Sequence, residues 1–69
     1  MKNRKFELFR DAQTPTGFFR IRALVSFGFV LKGEVGGFVQ KCENLSETGY
    51  AWVSGNARVA GYARVLGYL

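Results

Sequence analysis

The sequence has no histidine, one cysteine (Cys42), one proline (Pro15) and only five acidic residues. Each shortage excludes something. A lone cysteine makes no internal disulfide, and without histidine or further cysteines the usual zinc ligand sets are missing. Small domains depend on such staples because they bury a modest share of their surface. The missing imidazole also removes the commonest general base. The acids (Glu7, Asp11, Glu34, Glu43, Glu47) are scattered, with no spacing that pairs two carboxylates, and no nucleophile sits in a recognised turn. The expectation is a protein that is not an enzyme and holds no cofactor or metal. Long apolar runs are absent as well. The longest weakly polar stretch, "ALVSFGFVL", falls far short of the roughly 20 residues of a membrane helix, and no signal-peptide core follows the basic start "MKNRKFELFR". A cytoplasmic protein without a membrane partner is expected, in a host cell if the gene is phage-borne.

Aromatic residues (16%) and hydrophobic residues (48%) are present in quantity, so a packed single domain over residues 1–69 is expected. The net charge of +5 is lopsided. Lys2, Arg4, Lys5, Arg10, Arg20 and Arg22 face only Glu7 and Asp11 in the first 22 residues, a local balance of +4. Such an end suits nucleic acid or an acidic partner, or simply a solvated strand face.

The pattern is all-β. "KFELFR" sets Phe6 and Leu8 on one face. "DAQTPTG" is a loop, and "FFRIRALV" alternates Phe19, Ile21, Ala23 and Val25 against Phe18, Arg20, Arg22 and Leu24. These two strands predict an antiparallel hairpin. Gly36-Gly37 reads as a sharp bend with positive φ before a short strand over 38–42, and "ENLSETG" as a polar turn. No segment carries a 3.6-residue apolar period.

From Ala51 the chain repeats a six-residue phrase: Ala51-Trp-Val-Ser-Gly-Asn56, Ala57-Arg-Val-Ala-Gly-Tyr62, Ala63-Arg-Val-Leu-Gly-Tyr68. Ala and Val two apart form an inward set (Ala51, Val53, Ala57, Val59, Ala63, Val65), Trp52, Arg58 and Arg64 point outward, and each Gly starts a turn. Short strand, turn, small and aliphatic residues inward is the pattern of a left-handed β-helix, three phrases to a triangular coil. The expected architecture is an N-terminal β cap (1–49) over a single solenoid coil (50–69). One coil cannot offset its own ordering cost: burying a Val contributes about 1.5–3 kcal/mol, whereas fixing each residue's backbone costs about 1–2 kcal/mol. With no polar cap after Leu69, the open edge is expected to pair with a second copy, through Val59, Val65, Leu66, Tyr68 and Leu69.

In order, "FFRIRAL", "KGEVGGFV", "ENLSETG" and "AWVSGNARVAGYARV" resemble the YdcK-like group of bacterial and prophage β-solenoid proteins, over nearly the whole chain. The chain departs from the group in having a single coil where relatives run to many. It also has Phe29 where relatives often carry an acid, and Tyr62 and Tyr68 where Asn or Asp is common. The resemblance implies a fold and a phage or prophage setting, but no catalytic residues. Hexapeptide acyltransferases share the repeat but need a catalytic histidine and several coils.

The leading functional expectation is a small non-enzymatic binding protein of phage type, a homodimeric inhibitor or adaptor docking on a host protein or nucleoprotein complex, in the manner of anti-CRISPR proteins. The residues expected to meet the partner are Arg20, Arg22, Tyr50, Trp52, Arg58, Tyr62 and Arg64, types favoured as interface anchors. The alternatives are a purely structural self-assembling solenoid module, and a nucleic-acid-binding protein whose basic N-terminal strands set Arg20 and Arg22 beside Phe18, with Lys5 and Arg10 on the neighbouring strand.

Overall fold

A computed structural model describes residues 4–69; Lys2, counted in the basic N-terminal set, lies outside them. Strands β1 (Phe6–Phe9), β2 (Phe19–Ala23), β3 (Val35–Val39) and β4 (Arg58–Val59) form one mixed sheet in the order β1-β2-β3-β4, and Cys42–Asn44 make a short 3-10 turn. The fold is all-β. Among the described residues no helix is long and apolar enough to cross a membrane.

β1 and β2 pair antiparallel, as their alternation predicts. Phe6 lies opposite Ala23 and Leu8 opposite Ile21 on the inner side, while Glu7–Arg22 and Phe9–Arg20 form the outer pairs. In the connecting loop Asp11 Oδ1 accepts hydrogen bonds from the Gln13 N–H and the Thr14 hydroxyl. The Thr14 hydroxyl is the main reason the Asp11 carboxyl titrates below its usual range.

β3 differs from its expectation in place and in cause. It runs over Val35–Val39 rather than 38–42, and neither Gly36 nor Gly37 has a positive φ. The glycines are required by crowding. A Cβ on Gly36 would sit 2.5 Å from the Val53 carbonyl oxygen and 2.7 Å from Trp52 Cζ2, and one on Gly37 would sit 2.5 Å from the Ala57 carbonyl oxygen. The glycine pair also falls where the β2–β3 register shifts, between Arg20 and Arg22.

β3 pairs with β4 in parallel, Phe38 opposite Arg58 and Val39 opposite Val59. Two isolated parallel bridges follow, Leu45 with Val65 and Trp52 with Tyr68. Residues 37–54 therefore make a lower pass, on which residues 57–69 lie as an upper pass, joined at three places. The lower pass begins at β3 and includes the first six-residue phrase, whereas the repeat reading started the stacked unit at residue 50. Ala51-Trp52-Val53 belongs below because Trp52 bonds upward, its N–H to the Gly67 carbonyl and its carbonyl to the Leu69 N–H. Gly55 and Gly61 take the positive φ that the phrases call for; Gly67 does not.

The passes and the hairpin enclose one core of Phe6, Ile21, Ala23, Val30, Val39, Leu45, Ala51, Trp52, Val53 and Val59. Of the expected inward set, Ala57 and Val65 are part-buried and Ala63 is exposed. Trp52, expected outward, is 0% exposed. Its indole lies against Gly36 of β3 and edge-on to Phe27, ring centroids 5.6 Å apart. The bare backbone of Gly36 makes the room, so Gly36 and the tryptophan work as one packing device, while Gly37 clears the Ala57 carbonyl.

Buried Asn44 ties the passes together. Its Oδ1 accepts from the Gln40 and Lys41 N–H groups, and its Nδ2 donates to the Gly61 and Ala63 carbonyls. All four hydrogen bonds an amide side chain offers are made.

Candidate functional site

The outer sheet face gathers three of the expected partner-binding arginines. Residues directly opposite in adjacent strands project to the same side, so Phe9, Arg20, Phe38 and Arg58 form a row across all four strands, alternating ring and guanidinium. Arg20 lies 4.7 Å over the Phe38 ring, Arg22 4.2 Å over Phe9 and Arg58 5.9 Å over Phe18. Planar cations on aromatic faces attract by about 0.5–1 kcal/mol at exposed sites.

The row is not uniform. Arg20 is a clasp: its Nε donates to the Gly36 carbonyl, its Nη1 reaches Gln13 and Asp11, and its side chain is 11% exposed. It seals Phe38 from solvent and has little left to offer a partner. Arg22 is paired with Glu7 at 3.0 Å on the surface. Arg58 is exposed and has no carboxylate within ion-pair distance among the described residues. Arg10 lies at the end of β1, donating to the Phe18 carbonyl and lying over Phe19. Lys5 does not join this face: it is buried beside the core, its Nζ donating to the Ser46 carbonyl.

The remaining partner-binding candidates disperse. Tyr62 stands at the corner between the second and third phrases, 97% exposed, with the Lys41 ammonium 4.5 Å from its ring. Arg64 is exposed beyond that corner, and Tyr50 is exposed in a turn beside Gly28. Trp52 leaves the set because it is interior.

The upper pass carries the self-association candidates. Val65 exchanges both backbone bonds with the lower pass, to Asn44 and from Ser46, and Gly67 and Leu69 bond to Trp52 and Ser54. The intervening residues Arg64, Leu66 and Tyr68 make no backbone hydrogen bond among the described residues. Leu66, Tyr68 and Leu69 are exposed along this stretch. Val59 does not belong with them: it packs in the core beneath β4, and Val65 packs partly against that core.

A third feature was not anticipated. Arg4, Lys5, Val25, Phe27, Glu47, Thr48 and Gly49 line an open cleft of about 700 Å³. The Lys5 ammonium lies 4.7 Å from the Phe27 ring centroid. Burial pulls its pKa below the usual lysine value. No sequence signal separated this lysine from the basic residues around it, since its burial depends on Phe27 and Ser46, far along the chain.

Comparison with known protein families, with curated proteins and with solved structures finds no match to this chain.

Proposed function

We propose that this chain is a non-catalytic β-solenoid module that associates with a second copy through the upper edge of residues 57–69. The carrying observation is that edge. Unpaired N–H and C=O groups at Arg64, Leu66 and Tyr68 lie among the exposed Leu66, Tyr68 and Leu69 side chains. A strand edge flanked by apolar side chains and free of bulges or proline templates another strand. Two copies related by a two-fold axis satisfy each other's edges with one self-complementary contact. The three parallel connections between the passes, and the six-residue phrases, support the solenoid reading.

The test is solution mass by light scattering after size exclusion, on the wild type and on Leu66→Lys/Tyr68→Lys, which charges the edge without touching the bonds between passes. The wild type is expected at twice the chain mass and the double variant at the chain mass. A wild-type monomer at high concentration, or an equally dimeric variant, would overturn the proposal.

Arg58 favours a second reading: this dimer docks on an acidic surface of a host protein or nucleoprotein complex, as an inhibitor or adaptor. An exposed guanidinium without an acid partner among the described residues, set beside Phe18, meets a carboxylate or phosphate at little desolvation cost. The phage setting rests on the resemblance alone. A stoichiometric host protein retained by wild type and lost by Arg58→Glu supports it, and retention by both refutes it. Salt-labile nucleic acid in place of a protein would move the reading to the nucleic-acid alternative.

A further inference from the structure

We propose that the cleft beside Lys5 binds a small amphipathic carboxylate, its apolar body lying between Val25 and Phe27 and its head group meeting Lys5 and Arg4. This site is independent of the upper edge and of the association argued above.

The cleft has the size of a small-molecule site, within the range of about 300–1,000 Å³. Val25 and the Phe27 ring supply apolar walls, and the turn Thr48-Gly49 closes another side without bulky side chains. Arg4, Lys5 and Glu47 supply the charged part of the lining. Lys5 is 7% exposed and lines the cleft, and its ammonium holds its place by donating to the Ser46 carbonyl and by lying over the lining residue Phe27. A lysine anchored in this way is pre-positioned, so a ligand need not order a long flexible side chain.

The charges set the ligand class. Arg4 and Lys5 against Glu47 leave one positive charge on the lining, which a single carboxylate offsets and a phosphate dianion would exceed. The desolvated ammonium is favoured when an anion comes beside it, the direction in which an opposite charge acts. Neutral amphiphiles would gain the wall contacts and nothing at the head.

The protein carries its own reporter. Trp52 is the only tryptophan and packs edge-on against Phe27, so occupancy of the cleft changes the surroundings of the indole. Its N–H makes no hydrogen bond among the described residues, so a change in the Phe27 ring position acts on it directly. Octanoate, octanol and inorganic phosphate are titrated while Trp52 emission is followed. Saturable change is expected with octanoate, at least tenfold weaker change with octanol, and none with phosphate. Lys5→Met should remove the preference for octanoate over octanol. Val25→Asp puts a carboxylate on a half-exposed wall outside the core, and should weaken octanoate at least tenfold even if Lys5→Met fails to fold. Equal response to octanol and octanoate, or no saturable response to octanoate, would overturn the proposal; so would an unweakened Val25→Asp.

Discussion

Removing the Asn44 amide should cost this protein a large part of its stability. Asn44 is fully buried and makes four hydrogen bonds, at 2.9 Å from both Gln40 and Lys41 and at 3.1 and 2.8 Å to Gly61 and Ala63. Each such bond is worth about 0.5–1.5 kcal/mol net, and orphaned partners cost more where water cannot reach. Gln40 and Gly61 are exposed, so water recovers part of the loss. Asn44→Ala should therefore destabilise by about 2–4 kcal/mol. A chain of this length has a total of roughly 3–10 kcal/mol. The midpoint temperature should fall by about 8–32 °C, at about 4–8 °C per kcal/mol for a domain of this size.

Asn44→Asp separates hydrogen bonding from volume. The introduced carboxylate keeps the acceptor role toward Gln40 and Lys41 but turns its second oxygen on the Gly61 and Ala63 carbonyls. That repulsion raises the folded-state pKa of the new group above its unfolded value. An acid so raised contributes stability below its unfolded pKa and loses it as pH rises through the folded pKa. Asn44→Asp should therefore be as unstable as Asn44→Ala at neutral pH and recover on acidification, relative to wild type at each pH. Urea unfolding followed by Trp52 emission measures both. A loss below about 1 kcal/mol for Asn44→Ala, or an Asn44→Asp indistinguishable from wild type at neutral pH, would refute the claim that this amide joins the two passes.

Three further outcomes can be checked in the same unfolding assay. Gly37→Ala should cost about 3 kcal/mol, because its Cβ would meet the Ala57 carbonyl oxygen at 2.5 Å, whereas Gly55→Ala, strained only by a φ of 59°, should cost about 1 kcal/mol; the reverse order would refute the crowding account. Arg20→Ala should lose about 2 kcal/mol through the uncovered Phe38 ring and the lost bond to Gly36, and Arg20→Lys should not restore it, because an ammonium lacks the planar fork. Lys5 has its folded pKa lowered by burial, so its contribution is least favourable at neutral pH and improves as pH rises from the folded pKa toward the unfolded value near 10.5; the difference between wild type and Lys5→Met should move in favour of wild type on alkalinisation, and a pH-independent difference would count against a desolvated ammonium.

The hairpin was legible because its signal is local. Ile21 and Ala23 are buried while Arg20 and Arg22 cover the outer face, the alternation written in "FRIRA". Burial of Trp52 was not legible, since a period of two forces it outward between Ala51 and Val53. It turns inward because Gly36, sixteen residues earlier and nearly blank to any pattern, leaves the space. The same distance hid the lower pass. The repeat is visible from Ala51 onward, but the layer beneath it starts at Val35–Val39, whose sequence "VGGFV" contains no such phrase. Asn44 looked like one polar residue among many in "ENLSETG", although an amide with both donors and acceptors is the side chain able to close a corner between carbonyls above and N–H groups beside it. Arg20 and Arg58 were legible as cations. Their division into a sealed clasp and a free surface charge follows from the sheet order, which sets Phe38 between them.

That sheet order also bears on how far the proposed self-association would go. β3 has β2 on one edge, antiparallel, and β4 on the other, parallel. The hairpin therefore closes β3 on the side away from the upper pass, and at another side of the lower pass the Lys5 ammonium bonds the Ser46 carbonyl. Among the described residues, the upper pass carries backbone groups without intrachain partners at Arg64, Leu66 and Tyr68, beside the exposed Leu66 and Tyr68 side chains. A head-to-tail contact, which would propagate into a filament, needs two different open ends, whereas a two-fold contact uses the same end twice and then stops. The mass should rise from one chain to two with concentration and hold there, with the edge variant Leu66→Lys/Tyr68→Lys remaining at one. A mass that climbs past two chains would show that the β1–β2 side templates as well, and the hairpin could no longer be read as a cap.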